Sequence, residues 1–254
     1  MSLANTVAFV TGAGSGLGRA TALRLAGQHA KVIVADLSAE NVSKVCAEIG
    51  PSAIPAVVDV TNETQVRASM EEAVAKWGKL NVAVNCAGIG IASKTLSKKG
   101  PHDLNLFIKV LTINTVGTFN VSRLAADIFQ RNTPDEDGKR GVIVNTASVA
   151  AFDGQIGQVA YAASKGAVAA MTLPLARDLS SIGVRVCTIA PGLFLTPMLE
   201  GLPEAVRTVL ASTVPFPKRL GKPDEYAQLV EHIINNALLN GETIRLDGAL
   251  RMQP

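Results

Sequence analysis

Two side chains able to exchange a proton stand four residues apart in the stretch Tyr161-Ala162-Ala163-Ser164-Lys165. On a helix that spacing puts both on one side. A phenol normally ionises near pH 10, and a neighbouring ammonium favours the phenolate. Bringing that pKa to roughly 7 takes about 4 kcal/mol of differential stabilisation. One lysine in a solvated site does not supply so much, so a second positive charge has to share the work. Given that charge, Tyr161 is a general base in one direction and a general acid in the other.

Ser148 precedes Tyr161 and follows a strand-like run. Its hydroxyl can hydrogen-bond a carbonyl oxygen or a developing alkoxide, which makes Ser148 and Tyr161 the substrate-facing pair. Asn114, in Thr112-Ile113-Asn114, is a poor residue for a helix interior. It marks a local break whose freed carbonyl can hold a water leading to Lys165. Each residue alone has a plainer reading: a surface Tyr-x-x-x-Lys pair, a helix cap, a solvated asparagine. Their order along the chain argues for one site.

The elements that must position this group begin with Thr6–Thr11, a short apolar and β-branched run that reads as a buried strand. Thr11-Gly12-Ala13-Gly14-Ser15-Gly16-Leu17-Gly18 follows it and opens a helix to about Gln28. Glycines there let a pyrophosphate approach the backbone, and the helix N-terminus supplies free N–H groups. Asp36 ends the next strand, Lys31–Ala35, where a carboxylate can accept both ribose hydroxyls of an adenosine and repel a 2′-phosphate. The expected cofactor is therefore NAD, whose oxidised nicotinamide is the second positive charge that Tyr161 requires. Asp59-Val60 and Asn85-Cys86-Ala87-Gly88 close two further strands, at the sheet edge where such ligands lie. Asp59 can touch the adenine. Cys86 reads as a small packing residue beside the cofactor, since nothing near it in sequence would activate a thiol.

Further runs complete the pattern. Ser38 caps a helix, Ala56–Val60 is a third strand, and Thr61 caps a helix reaching about Trp77. Asn81–Asn85, Gly141–Thr146, Gly183–Ala190 and Glu242–Leu246 are strands. Asp103–Phe129 is a long, broken helix, Ala160–Leu179 a helix kinked at Pro174, and Glu225–Ala237 a late helix. Strands alternating with helices from end to end predict an α/β fold: a single doubly wound, parallel, seven-stranded sheet of Rossmann type with helices on both faces. No repeat or linker divides residues 1–254, so one domain is expected. Ser93–Pro101 and Arg131–Arg140 are polar loops. Pro191–Leu220 holds five prolines and reads as a loop whose part from about 195 to 220 is a substrate lid.

Composition narrows the function classes. Apolar residues at 48% and charged residues at 18% allow a packed core and argue against disorder. The net charge of +3 is spread without a basic block, which does not support nucleic-acid binding. Cys46, Cys86 and Cys187 are odd in number and widely spaced, so a reducing intracellular compartment is expected and no disulfide framework. His29, His102 and His232 are scattered, and no metal is expected. No secretory leader and no run of 18 apolar residues is visible, so no membrane span is expected.

Taken together, TGAGSGLG at 11–18, Asp59, NCAG at 85–88, Asn114, Ser148, YAASK at 161–165 and Pro191-Gly192 followed by Thr196 resemble the short-chain dehydrogenase/reductase family. Cys86 departs from the family's usual second asparagine. The resemblance implies catalytic roles for Asn114, Ser148, Tyr161 and Lys165. It implies an NAD site formed by Gly12, Ser15, Gly16, Leu17, Gly18, Asp36, Asp59, Val60, Cys86, Ala87, Gly88, Tyr161, Lys165, Pro191, Gly192, Phe194 and Thr196. VAVNCAGI (82–89), GVIVNTASVAAFDGQIGQ (141–158), IAPGLF (189–194), VPFP (214–217) and NGETIRLDGALRMQP (240–254) are similar to the branch that oxidises 3-hydroxyacyl-CoA to 3-ketoacyl-CoA and can accept hydroxysteroids. That branch implies a homotetramer, with a mitochondrial location in a eukaryote and a cytoplasmic one in a bacterium. Lys94, Lys98 and Lys99 either meet CoA phosphates or belong to a solvated loop. Two alternatives stand beside this reading: a 3-ketoacyl thioester reductase, which Asp36 disfavours, and a scaffold subunit of an RNA-processing complex.

Overall fold

The apolar runs become strands buried on both faces, and their alternate residues serve two separate cores. The computed structural model describes residues 3–254. In chain order the strands are β1 (Val7–Thr11), β2 (Lys31–Asp36), β3 (Ala53–Val57), β4 (Val82–Asn85), β5 (Leu96–Ser97), β6 (Gly100–Pro101), β7 (Gly141–Thr146), β8 (Val184–Pro191) and β9 (Thr243–Leu246). The helices are α1 (Gly16–Gly27), α2 (Ala39–Ile49), α3 (Glu63–Trp77), α4 (Leu104–Leu111), α5 (Gly117–Phe129), α6 (Val159–Asp178), α7 (Pro197–Glu200), α8 (Glu204–Ser212) and α9 (Pro223–Asn235). Seven strands form one sheet in the order β3-β2-β1-β4-β7-β8-β9, every neighbouring pair parallel. The expected doubly wound architecture is therefore present.

Ala8, Val10, Val32 and Val34 face one core with Ala22 and Leu25 of α1, Val42 and Val45 of α2, and Val230 and Ile233 of α9. Val7, Phe9, Ile33 and Ala35 face the other with Val66 and Met70 of α3 and Leu124, Ile128 and Phe129 of α5. Burial on both faces is why these strands lack polar alternation in sequence. After β3 the chain returns past β1 to form β4, so the order reverses between β1 and β4. That reversal opens the crevice in which such sheets bind ligands.

Most boundaries fall within a residue or two of expectation, and two differences bear on the site. β3 lies at Ala53–Val57 rather than Ala56–Val60, because pairing ends where Val57 meets Asp36. Val58–Val60 are thereby released to line the crevice. The cap of α3 is Asn62, whose side chain accepts from Gln65 N, while the Thr61 hydroxyl bonds Asp59. The break expected at Asn114 within 103–129 is present, as a π turn over Thr112–Val116. α6 continues through Pro174.

By length and composition alone, Leu104–Phe129 and Val159–Asp178 are apolar enough to cross a membrane, although neither holds an uninterrupted run of 18 apolar residues. In the fold α5 packs on β4 and β7, and α6 on β7 and β8. Their apolar character is that of helices flanking a buried sheet. The segment 195–220 carries α7 and α8, and its ends are tied by Leu195 N donating to Gly221 O and Gly221 N to Leu193 O.

Candidate active site

A cavity of about 650 Å³ opens at the carboxyl ends of the strands. The glycine loop forms its floor because no side chain fits there. A Cβ at Gly12, whose φ is +63°, would lie 2.9 Å from Ala87 N, and one at Gly18 would collide with the Gly12 carbonyl. Ser15 precedes α1 without a side-chain cap. The first-turn N–H groups of α1 are thus left for an anion.

Asp36 stands at the end of β2 and lines the cavity. Its Oδ2 accepts from Gly14 N and its Oδ1 from Ser38 N, both at 3.0 Å, so the carboxylate is held against the glycine loop. Thr11 Oγ1 accepts from Cys86 N and Ala87 N at 3.1 Å each and fastens the end of β4 to β1. Asp59 Oδ1 accepts from Thr61 N at 2.8 Å and from the Thr61 hydroxyl at 2.7 Å, which fixes the Val58–Val60 wall. Cys86 Sγ lies 3.6 Å from the Tyr226 hydroxyl and 3.7 Å from Thr146 Oγ1. Burial pushes its thiol up, which suits a packing residue rather than a nucleophile.

At the other end α6 brings Tyr161 and Lys165 to the same cavity, and the turn after β7 brings Ser148. Lys165 is only 5% exposed; its Nζ donates to Thr146 O at 2.7 Å and lies 5.9 Å from the centre of the Tyr161 ring. Burial pulls the Lys165 ammonium down from its ordinary 10.5 to about 8, with the Cys86 thiolate form working the other way. Burial pushes the Tyr161 phenol up, and the Ser148 hydroxyl offsets part of that rise. The sequence reading expected Lys165 to lower the phenol. In the structure desolvation dominates, and the side chain that lowers the phenol is Ser148. Ser148 Oγ also accepts from Ala150 N at 3.1 Å and caps the short turn Val149–Ala151.

Asn114 does not line the cavity. The carbonyl expected to hold a water toward Lys165 instead accepts the Thr118 hydroxyl at 2.8 Å. The work falls to the fully buried side chain. Its Oδ1 accepts from Ile89 N at 2.8 Å; its Nδ2 donates to Ile89 O at 2.9 Å and to Ser164 Oγ at 3.0 Å. Ser164 Oγ in turn donates to Tyr161 O at 2.7 Å. Asn114 therefore ties the loop after β4 to the helix turn that carries Tyr161. Every other residue assigned above to the cofactor or the chemistry lines the one cavity.

The family model described as short chain dehydrogenase matches residues 6–207. The chain belongs to the short-chain dehydrogenase family. A 3-hydroxyacyl-CoA dehydrogenase type-2 from Drosophila melanogaster is 60% identical, over 98% of this chain and 99% of that one. The crystal structure of a 3-hydroxyacyl-CoA dehydrogenase type-2 from Mycobacterium avium superposes with a TM-score of 0.95 at 43% identity, covering 98% of this chain and 97% of that one. A 3-ketoacyl-(acyl-carrier-protein) reductase from Brucella melitensis, crystallised with NADH, gives a TM-score of 0.86 at 30% identity, covering 97% and 98%.

As a short-chain dehydrogenase the chain is an oxidoreductase, and the cavity has walls that motif reading did not find. Gln155, Gln158, Leu199, Leu210 and Met252 line it. The two glutamines lie between Ser148 and Tyr161, and that position was the available signal. Leu199 and Leu210 belong to the expected lid; Met252 carries no signal of its own. Lys94 lines a smaller cavity of about 380 Å³ that shares Gln155 and Gln158 with the larger one. Lys98 and Lys99 are exposed at the β5–β6 hairpin.

Proposed function

We propose that this chain oxidises 3-hydroxyacyl-CoA thioesters to 3-ketoacyl-CoA with NAD as the cofactor. The observation that carries the reading is that one cavity holds Asp36 at one end and Ser148, Tyr161 and Lys165 at the other. The residues present fit a dinucleotide: the floor excludes a Cβ, the first turn of α1 is uncapped, and the anchored Asp36 carboxylate suits ribose hydroxyls and opposes a 2′-phosphate. When bound, NAD supplies the acceptor for the hydride that leaves the substrate carbon. Ser148 hydrogen-bonds the substrate oxygen, and Tyr161 takes the hydroxyl proton as the carbonyl forms. Lys165 places a cation beside the phenol it serves. The glycine loop and Asp36 hold the cofactor, while Asn114 holds the Tyr161 backbone through Ser164.

The thioester substrate is supported by the names and near full-length similarity of the Drosophila and Mycobacterium relatives. Asp36 weighs against reductases that use a 2′-phosphorylated cofactor; against a reductase that holds NADH, the higher identity of the 3-hydroxyacyl-CoA dehydrogenases favours the dehydrogenase reading. Lys94, in the smaller cavity that adjoins the larger one at Gln155 and Gln158, and the exposed Lys98 and Lys99 provide cationic partners for CoA phosphates. A homotetramer is supported by exposed apolar side chains on neighbouring helices: Leu104, Ile108, Val116 and Phe119 on the α4–α5 stretch, Val159 and Leu173 on α6. The test is an absorbance assay with NAD⁺ and 3-hydroxybutyryl-CoA, using Tyr161→Phe as the control. NADH should accumulate with the wild type. Tyr161→Phe should lose turnover by at least about 100-fold and keep its cofactor affinity. A wild type silent across acyl lengths would overturn the substrate assignment, and a fully active Tyr161→Phe the role of the phenol.

A further inference from the structure

The segment after β9, residues 247–253, touches each wall of the substrate end. Asp247 backs the loop after β8, since a Cβ at Gly192 would lie 2.9 Å from Asp247 Cα. Gly248 accepts from Phe216 N at 3.4 Å, and a Cβ there would lie 2.7 Å from Val214 Cγ1, so the base of the lid rests on it. Gln155 Nε2 donates to Gln253 O at 2.8 Å. Met252, between these ties, lines the cavity together with Leu199 and Leu210 of the lid.

One arginine holds the arrangement. Arg245, in β9, reaches both carboxylate oxygens of Asp153, with Nη1 at 3.2 Å and Nη2 at 2.5 Å. Its Nε donates to Asp247 Oδ2 at 2.7 Å and its Nη2 to Leu250 O at 3.0 Å. Its guanidinium carbon lies 5.3 Å from the centre of the Phe152 ring. Asp153 sits on the loop between Ser148 and Tyr161, so a single planar fork fixes that loop and the 247–253 segment to each other. A lysine has no such fork and cannot make both contacts at once.

We propose that Met252 determines acyl-chain specificity, and that the Arg245–Asp153 pair is the positioning device that sets both Met252 and the Phe152–Gln158 part of the loop before α6, with Ser148 held separately just after β7. The inference rests on the 3-hydroxyacyl-CoA reading. The polar reacting group is held at Ser148 and Tyr161, and Leu199, Leu210 and Met252 give the cavity an apolar stretch of wall suited to an alkyl chain. A thioether is long and unbranched and fills that wall adaptably, so its removal lengthens the space by several methylenes.

The experiment compares kcat/KM for 3-hydroxybutyryl-, hexanoyl- and decanoyl-CoA in the wild type, Met252→Ala, Arg245→Gln, Arg245→Lys and Asp153→Asn. Met252→Ala should raise the decanoyl-to-butyryl ratio by about tenfold or more, the scale of a methylene's worth of discrimination. Arg245→Gln and Asp153→Asn should move the ratio the same way through KM, with kcat within about threefold and NAD⁺ affinity unchanged. Arg245→Lys keeps the charge and guards against a merely unfolded variant; it should behave like Arg245→Gln. Hydrogen exchange provides a second readout: in Arg245→Gln, segments 149–158 and 248–253 should both exchange faster. A Met252→Ala ratio equal to wild type would overturn the specificity role, and unchanged exchange in either segment the clamp. A wild type inactive on every acyl-CoA would count against the substrate assignment alone, because the exchange measurement still decides the clamp.

Discussion

Replacing Lys165 by Met should stabilise the cofactor-free protein at neutral pH and lose that advantage at alkaline pH. Burial lowers the ammonium from 10.5 to about 8, so at pH 7 the folded chain holds a cation that its surroundings disfavour. That difference is worth about 3 kcal/mol. The sign follows from proton uptake. Between pH 8 and 10.5 the unfolded chain binds the Lys165 proton more tightly than the folded chain, so wild-type stability rises with pH across this window. Below pH 8 the penalty is fully present. Methionine has a similar length and no charge, but it abandons the Thr146 carbonyl, which loses a bond of 2.7 Å. An unsatisfied buried carbonyl costs about 1 kcal/mol. The variant should therefore be about 2 kcal/mol more stable than wild type at pH 7. By pH 10 the advantage should have gone: about 0.8 kcal/mol of the penalty remains, which the lost bond offsets, so the two proteins should be about equally stable. Urea unfolding of both proteins without cofactor, at equal chain concentration and at pH 7, 8.5 and 10, measures the difference directly. Titrations elsewhere in the chain cancel between the two proteins. A variant less stable at pH 7, or a difference that does not change with pH, would refute the account of Lys165 as a buried, destabilised cation.

Asp36→Ala should weaken NAD⁺ binding by about 10- to 100-fold, the worth of one or two hydrogen bonds to a charged group. The same change should improve NADP⁺ binding by removing a like charge, and titration calorimetry with both cofactors checks it; equal losses would contradict the assignment. Gly18→Ala should abolish cofactor binding or folding, because the added carbon collides with the Gly12 carbonyl; fluorescence of bound NADH together with a thermal melt reports which of the two is lost.

The fold was legible because its strands are buried on both faces and so appear as unbroken apolar runs between helical stretches. The cofactor end was legible for a related reason: Gly12, Gly18 and Asp36 have identities dictated by backbone proximity, and proximity along β1, α1 and β2 is local in sequence. The offset of β3 was not legible. Ala53–Val58 is an unbroken apolar run, and only pairing with Asp36 decides where the strand stops. The break at Asn114 could be read from its poor helix propensity, but its partners could not. Ile89 and Ser164 reach it from distant parts of the chain, and the carbonyl that a break should free is taken by Thr118. Met252 and Arg245 were silent because their meaning depends on a contact with Asp153, which lies 92 residues from Arg245.

The same burial that assembles Tyr161 and Lys165 works against the charges their chemistry requires. Desolvation raises the phenol and lowers the ammonium, so both shifts favour the neutral forms. Ser148 offsets the first only in part. Spacing on α6 therefore accounts for the meeting of the two groups and not for a working base. The remaining stabilisation has to come from a positive charge delivered into the cavity, and the end of the cavity built around Asp36 is shaped to deliver one. On the proposed reading, Tyr161 is then available as a base only while the oxidised cofactor is in place. That confines proton abstraction to the state in which a hydride can also leave, and it makes the loss of the alcohol proton depend on residues at the far end of the same cavity.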